Sequence, residues 1–218
     1  MKRDLVWKWL FFFVGLAVTC LGISMTIKGE ALGVGPWDVL HIALFKQIGL
    51  SVGTWSIITG VIIIGSTSWA LKEWPKFATI LDMILCGVFI DLFNWLLPNS
   101  TNIITDFIYF VLGIVILGVG CALYISPKLG EGPRDSLMVL FSKKFGFSIG
   151  NVRLGLEAAV AIIGWIFGGP IGIGTVLIAL FTGYIVQYSL PFFERMLEMK
   201  LNGANRTNIS HKNFVKES

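Results

Sequence analysis

From Trp9 to Ile27 the chain carries no charged residue, and the same holds from Gln47 to Leu71. A helix of about 20 mostly apolar residues crosses the hydrocarbon core of a bilayer. There every backbone polar group must be paired within the protein. Stretches of this kind confine the chain to spanning helices, the second beginning near Ser51. Phe77–Leu97 is a third span, interrupted only by Asp82 and Asp91, and Phe107–Pro127 a fourth without any charge. After Glu157 the next charge is Glu194, a run too long for one span. Its Gly168-Gly169-Pro170-Ile171-Gly172-Ile173-Gly174 segment has the chemistry of a tight turn. Spans five and six are therefore expected at Asn151–Phe167 and Ile173–Phe193, giving six in all.

Composition excludes the alternatives. Of the 218 residues 55% are hydrophobic and 14% charged, with a mean hydropathy of +0.80, whereas about a quarter of a soluble domain is charged. An ordinary soluble enzyme, a disordered chain, a secreted disulfide scaffold and a nucleic-acid binder are all ruled out. The net charge of +4 arises from basic residues at the ends of the apolar runs. With the N-terminus inside, 15 of the 17 Lys and Arg fall on the inner side and only Lys28 and Lys46 outside. The positive-inside bias thus places both termini in the cytoplasm. Cys20, Cys86 and Cys121 lie inside apolar stretches without metal-ligand spacing and read as small apolar residues. Lys2, Arg3 and Lys8 precede an apolar core as in a signal peptide, but no cleavage site and polar mature domain follow.

The first span is retained for a further reason: it has a counterpart. Gly33-Val34-Gly35-Pro36-Trp37-Asp38-Val39-Leu40 matches Gly130-Glu131-Gly132-Pro133-Arg134-Asp135-Ser136-Leu137 at an offset of 97, and nine of 22 aligned positions are identical. With one-residue shifts, Gly15 and Gly22 fall on Gly113 and Gly120, and Thr79 and Gly87 on Thr175 and Gly183. Each half reads as span, Gly-Pro-Asp segment, span, span. Three spans is an odd number, so the second half enters the membrane from the opposite side, the inverted repeat of several secondary transporters. The expected fold is an all-α polytopic membrane protein with a 3+3 inverted repeat: residues 1–98, residues 99–193, then a cytoplasmic tail, 194–218. On this orientation Trp37 is expected toward the outside and Arg134 toward the inside.

Paired Gly-x-Gly-Pro-x-Asp motifs after spans one and four, in a hydrophobic chain of this size, resemble the YczE/YyaS/YitT-type family of small bacterial membrane proteins. The similarity covers residues 5 to about 195. It implies a bacterial inner-membrane location and carries over no substrate or catalytic residues.

Within each motif, Gly35 or Gly132 suits a cap, Pro36 or Pro133 the first helical position, and Asp38 or Asp135 the free N–H groups. A helix of about 12 residues ending at Gly49 follows the first motif, too short to span. It either lies in the interface or re-enters the membrane beside a polar cavity. Helix N-termini attract anions, so Trp37, Asp38, Arg134 and Asp135 are candidate substrate-binding residues. Ionisable residues inside spans are functional candidates by default. Asp82 and Asp91, nine residues apart, face opposite sides of one helix, and Asp91 aligns with Gln187 in the second half. Asp91 and Gln187 are therefore the preferred internal polar pair. Glu157 is a further candidate, with Arg153 four residues before it as an ion-pair partner. Glycines of spans one and four suit close helix packing, and Trp and Tyr near span ends suit an aromatic belt.

His41 and His211 are the only histidines, and no nucleotide, zinc or hydrolase motif occurs. No enzyme activity, metal or cofactor is expected. The expected function is a permease-like movement of a small solute across the bilayer. A non-transporting scaffold or assembly factor, associated with a second copy or another membrane protein, is the alternative.

Overall fold

The computed structural model describes residues 2–130 and 132–216, with side chains for all of these except 2, 139, 149, 150 and 202–216. Eight α-helices follow one another among these residues: α1 (Lys2–Lys28), α2 (Pro36–Ile48), α3 (Val52–Leu71), α4 (Phe77–Leu96), α5 (Ile103–Ile125), α6 (Pro133–Phe145), α7 (Ile149–Ile166) and α8 (Ile173–Lys216). Five of them, α1, α3, α4, α5 and α8, are long and apolar enough to cross a membrane. α7 is an 18-residue helix where the fifth span is expected. The chain is therefore an all-helical, multi-pass membrane protein.

Local chemistry sets the helix bounds. Pro36 and Pro133 open α2 and α6 at the first helical position, and glycines flank both ends of each helix. Both short helices have 13 residues, about 20 Å at 1.5 Å per residue. Gly49 and Gly146 end them with positive φ, 89° and 73°, where a side chain would be strained. Two residues later Ser51 and Ser148 accept hydrogen bonds from the first turns of α3 and α7. α5 begins with a reciprocal capping box between Asn102 and Thr105. α8 continues from its apolar part into the charged segment after Glu194 as one helix to Lys216. Lys128 donates to Glu194 at 2.8 Å, fastening the loop after α5 to α8. The carboxylate holds the exposed ammonium above its ordinary pKa.

The order long helix, short helix, helix, helix occurs twice, and so does the packing. α1 lies against α5 along most of its length. α1 packs on α4 as α5 packs on α8, and α2 on α7 as α3 on α6. Each short helix is thus gripped by the opposite half.

At the centre, glycines bring the backbones of α1 and α5 together. A methyl group at Gly15 would strike Tyr124, at Gly120 it would strike Thr19, at Gly22 Leu117 and at Gly113 Thr26. Along α1 the contact residues rise from 15 to 26 while their partners on α5 fall from 124 to 113. The two helices therefore run antiparallel. Among the described residues, the largest buried apolar cluster surrounds α1, with Phe12, Leu16, Cys20 and Ile23 against Val34, Val39 and Ile90. Trp69, Trp74 and Trp95 are exposed near helix ends, where an aromatic belt meets lipid headgroups.

Candidate functional site

The N-termini of α2 and α6 meet. The Arg134 guanidinium carbon lies 5.1 Å from the Trp37 ring centroid, a cation–π distance. These residues occupy the same place in the two motifs, so the expectation that they face opposite sides of the bilayer is replaced by direct contact. The reason is the length of the short helices. In α2 Pro36, Trp37, Asp38, Val39, His41, Ile42 and Ala43 are all buried, and in α6 Pro133 is buried while Arg134, Asp135, Ser136 and Leu137 are half-buried.

Beside this contact lies a cavity of about 180 Å³. Trp37, Arg134 and Asp135 border it from the motif tips, Asp82 from α4, and Arg153 and Glu157 from α7. Thr19, Leu117, Tyr124 and Thr182 contribute from α1, α5 and α8. Arg153 Nε donates to Glu157 Oε1 at 2.9 Å, the ion pair that their spacing predicts. Thr19 and Thr59 turn their hydroxyls back onto their own helices, bonding the carbonyls of Gly15 and Trp55 at 2.8 and 2.9 Å. Trp37 Nε1 and Thr182 Oγ1, both buried, have no hydrogen-bond partner among the described residues. A wider cavity of about 300 Å³ lies next to it, between the α3–α4 connection and α6, bordered by Lys76, Thr79, Ser136 and Lys143.

The other expected site residues lie elsewhere. Asp38 folds its carboxylate over Gly35 at the start of α2, with His41 Nδ1 3.8 Å from its Oδ1. His41 Nε2 is 2.9 Å from Thr59 Oγ1 on α3. Asp91 caps α3 from outside that helix: its carboxylate accepts the Gly53 N–H at 2.8 Å and the Ser51 hydroxyl. Gln187 stands on the exposed face of α8. Repeat alignment relates Asp91 to Gln187 but does not make them neighbours. Sequence reasoning passed over Asp82 as a site residue, although the alignment that pairs Thr79 with Thr175 sets Asp82 against Ile178 and so marks a charge present in one half only.

Residues 6–191 match the profile of DUF6198, a family of unknown function. The chain belongs to this family. It is 48% identical over 191 residues to the uncharacterized membrane protein YczE of Bacillus subtilis, covering 88% of this chain and 89% of the relative. YyaS of the same organism is 30% identical over 191 residues, covering 86% and 94%. An uncharacterized protein of Haemophilus influenzae is 34% identical over 182 residues, 83% of each chain. No solved structure matches. The DUF6198 match includes both motifs and the whole cavity lining, and leaves out the segment after Pro191.

Proposed function

We propose that this DUF6198 chain is a permease of the bacterial inner membrane, built as a 3+3 inverted repeat with α7 as the fifth of six spans and both termini cytoplasmic. The observation that carries this reading is the meeting of two short helices, tip to tip, beside a central cavity that Asp82, Asp135, Glu157, Arg134 and Arg153 border. Antiparallel α1 and α5, which are equivalent members of the two halves, support the inversion. A 13-residue helix ending in the middle of the protein leaves backbone N–H groups at its tip without intrahelical partners. Within a bilayer that arrangement persists only where it is buried in protein or lines a water-filled cavity. Half-helix tips near the midplane are where secondary transporters hold their substrates.

On this reading α1 and α5 form the fixed centre, and each short helix moves with the opposite half that grips it. Rocking of one group against the other opens the cavity first to one side and then to the other. The wider space between Lys76 and Lys143 is the cytoplasmic approach.

The native Cys121 borders the cavity and provides the test. With Cys20 and Cys86 replaced by alanine, an impermeant thiol reagent is applied to whole cells and to inverted vesicles. A permease labels at Cys121 from both sides. Labelling from one side only, or from neither, refutes alternating access and leaves a scaffold as the better description.

A further inference from the structure

The two motif tips are built alike, and comparing them isolates one residue. Thr175 of α8 lies against Gly33, and Thr79 of α4 lies against Gly130 in the equivalent place. Three residues further along α8, Ile178 Cγ2 stands 3.9 Å from the position a Cβ would take at Gly35. The same step along α4 brings Asp82, whose Oδ2 stands 3.1 Å from the corresponding position at Gly132.

Ile178 is buried among Phe110 and Ile114, so one slot is closed with hydrocarbon. Asp82 is buried to a similar degree, 8% exposed against 3%. A carboxylate inside a membrane protein is costly unless something compensates its charge. The twin slot shows that the architecture closes with an apolar side chain, so the carboxylate is not there to complete the packing.

Its surroundings say what it accepts. Tyr124 Oη and Asp135 Oδ2 lie 3.6 and 3.8 Å from that same point at Gly132, so two carboxylates share one small space. Among the charged residue types bordering the cavity, the acids Asp82, Asp135 and Glu157 outnumber the bases Arg134 and Arg153 by one. Arg153 is engaged by Glu157 and Arg134 lies over Trp37. Trp37 and Thr182 border the same cavity and are 6% and 7% exposed, and their Nε1 and Oγ1 find no hydrogen-bond partner among the described residues. An indole N–H only donates and an ionised carboxylate only accepts. An occupant that satisfies both carries a positively charged donor and, a few atoms away, an acceptor.

We infer that the central cavity binds a small solute bearing a protonated amine, with the amine on the Asp82 carboxylate and an acceptor of the same solute on Trp37 Nε1. This rests on the permease reading and names the chemical class that the site takes. The space of about 180 Å³ equals roughly six waters at about 30 Å³ each, so the solute has only a handful of non-hydrogen atoms.

Three probes of similar size separate the alternatives by ligand-dependent thermal stabilisation of the full-length protein in detergent. Ethanolamine carries the amine and an acceptor, tetramethylammonium a charge without N–H, and ethylene glycol no charge. Ethanolamine alone is expected to raise the melting temperature. Asp82→Asn is expected to weaken ethanolamine binding by about tenfold or more, the loss of a charge-assisted hydrogen bond. It is also expected to melt, unliganded, no lower than the native protein. Trp37→Phe is expected to weaken binding by a smaller factor, and decides the matter should Asp82→Asn fail to accumulate. Equal stabilisation by tetramethylammonium, undiminished binding by Asp82→Asn, or no stabilisation by ethanolamine overturns the assignment. Cys121 labelled from both sides without ethanolamine binding overturns the amine alone and leaves the permease standing.

Discussion

Consider Gly15→Ala at the crossing of α1 and α5. The new methyl carbon would stand 2.7 Å from Tyr124 Cα and 2.8 Å from the Leu123 carbonyl carbon. Non-bonded carbons settle at about 3.5–4.0 Å, and the obstructing atoms are backbone, which no rotamer change moves aside. The two helices must part by roughly 1 Å, a gap that forfeits a quarter to a half of the attraction between facing atoms. Overpacking of this kind costs about 1–3 kcal/mol, and alanine's better helix propensity returns up to about 1 kcal/mol. Gly183, also helical, has nothing within 4 Å of its Cβ position, so Gly183→Ala has only the propensity gain. Thermal unfolding of both purified variants in one detergent is the assay. Gly15→Ala is expected about 2 kcal/mol below Gly183→Ala, the middle of that range. Gly113→Ala meets Thr26 in the symmetric place, and its loss is expected to add less than fully to that of Gly15→Ala, since the helices have already parted. Equal melting of Gly15→Ala and Gly183→Ala would refute the close antiparallel crossing.

Asp91→Ala removes the acceptor for the Gly53 N–H and the Ser51 hydroxyl, and is expected to lower stability by about 1–3 kcal/mol while Cys121 labelling stays as in the native chain. A double-mutant cycle on Trp37→Leu and Arg134→Met is expected to give a coupling of about 0.5–2 kcal/mol, the range for a cation–π contact; a coupling near zero means that the two tips do not touch.

Much of the frame is legible in the sequence, because uncharged stretches and Gly-Pro punctuation are local signals. Pro36 and Pro133 begin the short helices and Gly49 and Gly146 end them, as the motifs predict. The i, i+4 spacing of Arg153 and Glu157 likewise finds its ion pair. Asp82 and Asp91 do point apart, one to the cavity and one to the start of α3. Which of them reaches the cavity depends on what lies opposite each face, and helical periodicity holds no information about that. Repeat alignment favoured Asp91 because Gln187 is polar too, but equivalent positions of two repeats need not be neighbours. Trp37 and Arg134 occupy equivalent places and do touch. Gln187 is on the outer face of α8, and Asp91 is used up by the free N–H groups of α3.

The antiparallel pairing of α1 with α5 also determines which chemistries one chain can host. On the proposed inverted repeat, two separate, identical copies related by its two-fold axis would have to repeat every residue on both sides of it. A carboxylate in the slot of Asp82 would then face a second one across the axis, and an isoleucine in the slot of Ile178 would leave no carboxylate at all. Joining the copies into one polypeptide removes that obligation. The glycines of the crossing recur in both halves, while one motif slot holds the acid Asp82 and its twin the hydrocarbon of Ile178.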